Sequence, residues 1–141
     1  MLGDNIIEKS IKKAVDDFRR QPKGAKILIK KVSDPERFGV AEIKNGKIVS
    51  IEEKPKNPKS DYVVTGIYMY DNQVFDMIKS LKPSRRGELE ITDVNNAYVE
   101  RNAMKAVVLE GDWTDAGTFE SLFEANRIAR DIALKHPEHH A

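Results

Sequence analysis

Residues 62–70 read YVVTGIYMY, a run that carries no formal charge. β-Branched and aromatic side chains dominate it, which is typical of a strand covered on both faces within an α/β sheet. Gly66 interrupts the run. Because glycine weakens a strand, we expect a ligand or another backbone to approach closely at this position. The run therefore predicts the central strand of the sheet, around which the rest of the chain is arranged.

The composition is that of one globular domain, or a large part of one, without a strong charge bias. The 141 residues include 24 Lys and Arg against 23 Asp and Glu, which gives a formal net charge of +1. Such a balance gives no broad attraction to nucleic acid or to a membrane. Cysteine is absent, which excludes disulfides and thiolate metal sites. With no apolar run of transmembrane length and no signal peptide, we expect a cytoplasmic protein with neither a nucleic-acid nor a membrane partner.

Upstream of the central strand, the pattern predicts a helix and then a strand. Apolar residues recur at helical spacing over residues 6–20, and Asp4 or Asn5 could cap that helix. Residues 25–32 predict a short strand. A helix followed by a strand is half of a crossover unit, so we expect its first strand to precede Met1.

A β-hairpin and three further helices complete the predicted elements. Asn45-Gly46 between two strand-like runs is a strong hairpin signal. Thr118 is expected to cap the last helix, and a frayed tail is expected at residues 136–141, which leaves residues 1–135 as the folded part. The predicted elements are hairpin strands at 38–43 and 47–52, helices at about 71–81 and 88–101, a strand at 104–109, an extended piece at 111–117 and the last helix from 118.

Two aspartates are candidate ligands for a metal ion. Asp4 follows a glycine just before the first predicted helix, and ligand sites in α/β sheets lie at such strand ends. Asp115 lies between Trp113 and Gly117, where a buried carboxylate needs a partner or an ion. The plainer alternatives are a helix cap for Asp4 and a turn residue for Asp115. If the two carboxylates meet, they could share one Mg²⁺, which keeps several waters and binds substrate phosphates.

Charged residues on both sides of the central strand are candidate substrate contacts. Glu53 and Lys54, in the stretch IEEKP at 51–55, could bind sugar hydroxyls and a phosphate; the alternative is an exposed turn pair. Arg85 and Arg86 lie in a predicted basic loop, where a planar guanidinium suits phosphate oxygens. The alternative there is a solvated loop. The three histidines are interpreted as surface residues.

Taken together, these motifs resemble those of one enzyme family. The chain is similar to the C-terminal portion of the sugar-1-phosphate nucleotidyltransferases, and most closely to the glucose-1-phosphate thymidylyltransferases. The resemblance spans nearly the whole chain in family order and implies a Rossmann-like α/β fold with a mixed sheet. The matching stretches are LGDN at 2–5, DPERFGVAE at 34–42, IEEKPKNPKSDYVVTGIYMYDN at 51–72, RGELEITDVNNAYVER at 86–101 and WTDAGTFESLFEAN at 113–126.

The resemblance also implies a reaction and the residues that serve it. In the family, the phosphate oxygen of a sugar 1-phosphate attacks the α-phosphorus of a nucleoside triphosphate and pyrophosphate leaves. It implies Mg²⁺ as cofactor, with Asp4 and Asp115 as ligands, although Ala116 stands where the family usually has threonine. No catalytic residue is assigned. The implied sugar-phosphate contacts are Gly39, Glu53, Lys54, Val64 and Arg86, the last of them the family's phosphate-binding arginine.

One family motif is absent from the sequence. The family's glycine-rich loop, GGxGTRL, cradles the triphosphate, and the eight glycines here are never close enough to form it. We therefore expect an incomplete fold that lacks its N-terminal nucleotide-binding part. The chain alone is then expected to be inactive, and to bind a nucleoside triphosphate only if that part is supplied. A natural truncation, an expressed fragment and half of a split enzyme remain open. So do uridylyl or guanylyl relatives and a non-catalytic sugar-phosphate-binding or interaction module.

The same expectation bears on assembly. If strands that cover residues 62–70 are missing, an exposed sheet edge and apolar faces favour association, so a homo-oligomer is expected. A clean monomer in light scattering at high concentration would contradict this expectation.

Overall fold

The computed structural model describes residues 1–82 and 90–135, and within them it shows a mixed α/β fold. The predicted tail and most of the predicted basic loop lie outside these described residues. The elements are β1 (Asn5–Ile7), α1 (Lys12–Arg19), β2 (Ala25–Lys31), β3 (Gly39–Lys44), β4 (Lys47–Glu53), β5 (Tyr62–Tyr70), α2 (Val74–Ser80), α3 (Ile91–Glu100), β6 (Met104–Val108), β7 (Trp113–Asp115) and α4 (Phe119–Lys135), with a 3₁₀ turn at Pro35–Arg37.

Two sheets organise these elements. Five strands form a sheet in the order β4-β3-β5-β2-β6, in which β2 and β6 run parallel and the other neighbours run antiparallel. The strands β1 and β7 form a separate antiparallel pair. The predicted hairpin is present as β3 and β4, joined by Asn45 and Gly46, which both have positive φ. The mixed sheet that the sequence resemblance implies is therefore confirmed.

The strand β5 is the centre of the core, as the run YVVTGIYMY predicts. It is the middle strand of the five, and its side chains contribute to apolar clusters on both faces of the sheet. Val63 and Thr65 are fully buried, and Ile67 is almost so. On one face Val64 and Tyr68 pack against residues of β2, β3 and β4, and on the other Ile67 packs beneath α1. Burial on both faces explains why this run has no charged residue.

The predicted first helix is wrong at its beginning. Residues 5–7 form the strand β1, and α1 begins only at Lys12. Ile7 and Ile11 nevertheless pack against one apolar cluster, together with Ala14. Because both pack on the same cluster and lie four positions apart, they show the sequence spacing of a helical face. Ile7, however, lies in a strand and Ile11 just before a helix. The predicted cap at Asp4 or Asn5 is wrong as well, because α1 begins well after both residues and its N-cap residue is Ile11.

The side chain of Asn5 instead joins the two sheets. Its Oδ1 accepts hydrogen bonds from the backbone N–H of Gly66 and from Nε1 of Trp113, both at 2.8 Å. Its Nδ2 donates to Oδ1 of Asp4 at 2.9 Å, and the N–H of Leu2 donates to the carbonyl of Gly66 at 2.8 Å. A Cβ atom on Gly66 would lie only 2.4 Å from Nδ2 of Asn5. The close approach predicted at Gly66 is thus confirmed, with the chain's own N-terminal segment as the neighbour.

Several large apolar residues of the helices are exposed. In α2, Met77 is buried whereas Phe75 is 63% exposed; in α4, Ile128 is buried whereas Phe123 is 75% exposed. Phe119, at the start of α4, is 90% exposed. This much exposed apolar surface supports the expected self-association, which stays a prediction. Within residues 1–82 and 90–135, no helix is long and apolar enough to cross a membrane.

The substitution Asn5→Ala tests the junction between the sheets. It leaves the buried Gly66 N–H and the partly buried Trp113 Nε1–H without their acceptor. Because each unsatisfied buried group costs about 1–3 kcal/mol, the free energy of unfolding should fall by about 2–5 kcal/mol in a urea titration. The control Asn57→Ala, at an exposed loop position, should change it by less than about 0.5 kcal/mol. Equal losses in the two variants would contradict the role given to Asn5.

Candidate functional site

The hairpin and α3 bring Gly39, Glu53 and Thr92 together. Gly39, the first residue of β3, pairs with Glu53, the last residue of β4. A Cβ atom on Gly39 would lie 3.1 Å from Oε2 of Glu53, which also accepts a hydrogen bond from Oγ1 of Thr92 at 3.1 Å. The absence of a side chain at Gly39 therefore leaves room for the carboxylate. Sequence reasoning missed Thr92, although it lies inside the matching stretch at 86–101.

Lys54 has an unusual backbone conformation. Its φ is 44°, in the left-handed region that few residues other than glycine adopt, and its N–H donates to the carbonyl of Phe38 at 2.9 Å. Such a conformation costs a side chain with a Cβ about 1–2 kcal/mol. The side chain of Lys54 is exposed, so its ammonium group is open to a ligand. A strained residue at a position that the sequence independently selects supports a functional role for Lys54.

Val64 and Tyr68 extend the site along β5. They lie on the same face of the strand, as residues an even number of positions apart do, and both pack against the apolar cluster that contains Ile51 of β4. Burial raises the pKa of Tyr68 to about 12, and the negative charges of Glu53 and Asp4 add to the shift. The phenol of Tyr68 therefore lies within electrostatic reach of both candidate regions. Val64 was predicted from the family resemblance, and strand alternation from Val64 is the signal by which Tyr68 could have been found.

The pairing of β1 with β7 brings together the two candidate metal ligands, which come from opposite ends of the described chain. Asn5 pairs with Asp115, and the N–H of Ala116 donates to the carbonyl of Asp4 at 2.7 Å. Asp4 is exposed and Asp115 half-buried. A Cβ atom on Gly117 would lie 3.1 Å from Oδ2 of Asp115. The sequence alone could not establish this proximity, because it depends on two three-residue strands.

Carboxylate oxygens of this kind fit a hard cation such as Mg²⁺. Nδ2 of Asn5 donates a hydrogen bond to Oδ1 of Asp4, which leaves the second oxygen of that carboxylate for an ion. Among the residues that the structure describes, no three His, Asp or Glu side chains group together as a metal cage. Two carboxylates suffice for Mg²⁺ if water and substrate oxygens complete its octahedron, which is the usual arrangement at phosphate-binding sites.

Aromatic residues and one arginine border this acidic edge, and sequence reasoning assigned none of them. The rings of Phe38 and Trp113 lie 5.5 Å apart, and the guanidinium carbon of Arg37 lies 5.3 Å from the centre of the Phe38 ring. A hydrogen bond from Arg37 to Asp34 raises the pKa of this arginine, and the charge of Asp115 contributes as well. Arg37 therefore offsets part of the negative charge at the candidate metal site. Its signal in the sequence is the stretch DPERFGVAE, which carries the family resemblance.

Arg86, the remaining predicted phosphate contact, and its neighbour Arg85 lie outside the described residues. Their expected roles stay predictions. The structure thus brings Gly39, Glu53 and Lys54 together at one end of the hairpin, with Val64 on the neighbouring central strand and Asp4 beside Asp115 at the second sheet.

Comparisons with known proteins establish the family of the chain. The family model described as nucleotidyl transferase matches residues 1–131, so the chain belongs to the nucleotidyl transferase family. It is 47% identical over 136 residues to the glucose-1-phosphate thymidylyltransferase of Neisseria meningitidis, covering 94% of this chain and 47% of that protein. It is 45% identical over 138 residues to the enzyme of the same name from Mycolicibacterium smegmatis, covering 95% of this chain and 48% of that protein.

Solved structures confirm the fold. A Bacillus anthracis protein, provisionally named glucose-1-phosphate thymidylyltransferase and solved in complex with sucrose, superposes with a TM-score of 0.88 at 59% identity, covering 93% of this chain and 53% of that one. A UDP-glucose pyrophosphorylase complexed with UDP-glucose gives a TM-score of 0.77 at 22% identity, over 93% of this chain and 55% of that one, which supports the fold alone. The chain spans about half the length of the relatives that it matches.

The strain at Lys54 leads to a prediction about stability. Replacing Lys54 by Gly removes the left-handed penalty but adds flexibility to the unfolded chain, so the free energy of unfolding should rise by about 0.5–1 kcal/mol. The matched control is Asn102→Gly, since Asn102 is also exposed and has a φ of 52°. Asparagine tolerates this region better, so the control should gain less. A loss of stability in Lys54→Gly would show that the lysine side chain stabilises the fold.

Proposed function

We propose that this chain is the sugar-phosphate-binding part of a nucleotidyltransferase that acts on glucose 1-phosphate. The names of its relatives favour a thymidylyl group as the group that is transferred. One observation carries the proposal: Gly39, Glu53 and Lys54 converge at the end of the hairpin in a chain that is 47% identical to a glucose-1-phosphate thymidylyltransferase. The substrate class is taken from that relative's name, and the end of the hairpin is the proposed binding site for such a substrate.

The chemistry of each residue fits a part of the sugar phosphate. The carboxylate of Glu53 accepts hydrogen bonds from sugar hydroxyls, and the ammonium of Lys54 pairs with the phosphate. Gly39 lets the sugar approach the backbone, and Val64 offers an apolar contact to the ring. Arg86 is assigned to the phosphate on the family resemblance alone.

Asp4 and Asp115 are proposed to hold Mg²⁺. When bound, this ion supplies charge neutralisation to phosphate oxygens. Asn5 orients the carboxylate of Asp4 by its hydrogen bond, and the β1–β7 pairing keeps Asp115 alongside. The role proposed for these residues is therefore to place an acidic edge beside the phosphate end of the sugar.

In the proposed reaction, a phosphate oxygen of glucose 1-phosphate forms a new bond to the α-phosphorus of the nucleoside triphosphate. The bond from that phosphorus to the pyrophosphate oxygen breaks, and pyrophosphate leaves with the electron pair. The residues of this chain hold the attacking phosphate in position, which is a large share of catalysis in phosphoryl transfer. The triphosphate and its base need the part of the family's fold that carries GGxGTRL, so a uridylyl or guanylyl transferase is also compatible. The cytoplasmic setting expected from the sequence stays a prediction.

Titration with glucose 1-phosphate, followed by amide NMR, tests the binding half of the proposal. Without the cleft that the remaining part of the fold would close, we expect a dissociation constant near 1 mM, about 4 kcal/mol of binding free energy. Signals of residues 39, 53–54, 64–66 and 86 should shift. Lys54→Ala should weaken binding, whereas the matched variant Lys47→Ala, at the exposed opposite end of β4, should not.

Two ligand controls sharpen the result. Glucose and inorganic phosphate, titrated separately, show whether the sugar or the phosphate accounts for the shifts. Unchanged spectra at tens of millimolar glucose 1-phosphate would refute a preformed half-site. Shifts that survive Lys54→Ala would place the site elsewhere.

A pyrophosphate-release assay tests the catalytic half. With glucose 1-phosphate, Mg²⁺ and each nucleoside triphosphate in turn, the 141-residue chain should show no significant turnover, because losing one charge-stabilising donor costs about 10²–10³-fold in rate and the GGxGTRL loop supplies several. Robust turnover by this chain alone would contradict the prediction. Turnover that appears when a polypeptide carrying the GGxGTRL part of a relative is added would favour the enzyme over the alternative of a non-catalytic sugar-phosphate-binding module. The nucleoside triphosphate that supports it would identify the base.

A further inference from the structure

The side chain of Asn96 holds the outer side of the strand that ends in Glu53. Its Oδ1 accepts a hydrogen bond from the N–H of Ile51 at 2.9 Å, and its Nδ2 donates to the carbonyl of Ile51 at 2.8 Å. Because β4 is an edge strand of the five-stranded sheet, these two backbone groups have no neighbouring strand on that side. The carboxamide of Asn96 therefore takes the place that another strand's peptide group would occupy.

This contact is made two residues before Glu53. An edge strand with unpaired backbone groups is prone to slip or to pair with another chain, and a slip by one residue moves every side chain to the opposite face. The ladder between β3 and β4 already contains one register shift, between Glu42 and Ile43. Fixing Ile51 at both backbone groups limits further movement of the strand end that carries Glu53.

The helix α3 holds this strand end at a second point. Thr92 lies one helical turn before Asn96, on the same side of α3, and donates to Oε2 of Glu53. Lys54 follows at once and has its left-handed φ of 44°, which depends on where the strand ends. A conformation that costs energy persists only when neighbouring structure holds it in place.

We infer that Asn96 is a positioning residue for the sugar-phosphate site, an inference that rests on the proposed function. In the part of the chain that the structure describes, its side-chain hydrogen bonds go to the backbone of Ile51 and not to Glu53 or Lys54. By holding Ile51 it sets the register of β4, so that the Glu53 carboxylate meets Gly39 and Thr92 and the Lys54 backbone takes its left-handed turn. Asparagine suits this role because its side chain offers both a donor and an acceptor.

The substitution Asn96→Asp separates this role from general packing. It keeps the side-chain shape and the acceptor for the Ile51 N–H, but it replaces the donor to the Ile51 carbonyl by a repelling oxygen. The matched control is Asn126→Asp on α4, where the lost Nδ2 also donates to a backbone carbonyl, that of Leu122, at 2.9 Å. A second control, Ile128→Val, reduces stability at a buried residue of α4, a helix that packs mainly on β1 and β7 rather than on β4.

Two properties are measured for the unmodified chain and for each variant. The first is the amide exchange rate and the φ-dependent coupling constant of Lys54 without ligand. The second is the dissociation constant for glucose 1-phosphate, measured well below the unfolding transition. Asn96→Asp should speed exchange at residues 53–54, change the Lys54 coupling and weaken binding by about tenfold. Asn126→Asp and Ile128→Val should leave the coupling unchanged and binding within about twofold.

Two results would overturn the inference. One is an Asn96→Asp chain whose Lys54 coupling and affinity match those of the unmodified chain. The other is a loss of affinity that Ile128→Val reproduces at equal stability. A failure of the proposed function is distinguishable from both. If the unmodified chain binds no glucose 1-phosphate while Asn96→Asp still alters the Lys54 coupling, then Asn96 positions the strand end and the assigned ligand is wrong.

Discussion

The contact on which the rest of the structure depends is the insertion of the Asn5 carboxamide against Gly66. The central strand can accept it only because residue 66 has no Cβ, since a methyl group there would lie 2.4 Å from Nδ2 of Asn5. One oxygen of Asn5 then satisfies both the Gly66 N–H and Nε1 of Trp113, so a single side chain fastens β1 and β7 to the five-stranded sheet. Through this attachment Asp4 and Asp115, 111 positions apart in the sequence, become neighbours.

The same strand connects the acidic edge to the sugar-phosphate region. Val64 and Tyr68 stand on one face of β5, two residues to either side of Gly66, and both pack towards the strand that ends in Glu53. Burial raises the pKa of Tyr68, and the negative charges of Glu53 and Asp4 raise it further. A displacement of Asn5 would therefore disturb the metal ligands directly and the sugar-phosphate contacts through β5.

The parts of this architecture that the sequence predicts are those with local causes. Asn45-Gly46 predicts the hairpin because only a few residue types tolerate positive φ, and the uncharged run predicts β5 because both of its faces are buried. The helix predicted from residue 6 failed because Ile7 and Ile11 share one cluster from different elements. Thr92 and Asn96 were missed for a related reason: each acts on a strand about 40 residues away, and periodicity carries no information about such contacts.

Two of the site residues lie at positions that do not favour regular structure. Glu53 ends an edge strand, and Lys54 adopts a conformation that glycine would take at lower cost. Neither feature helps the chain to fold, so neither follows from rules of propensity or packing. Each becomes intelligible if the end of β4 must present a carboxylate and an ammonium group side by side, the first at the last ladder pair and the second just after it. On this view α3 acts as a clamp, since Asn96 bonds the two edge-facing backbone groups of Ile51 and Thr92 bonds the carboxylate of Glu53. The hairpin can then hold a geometry that it would not adopt alone.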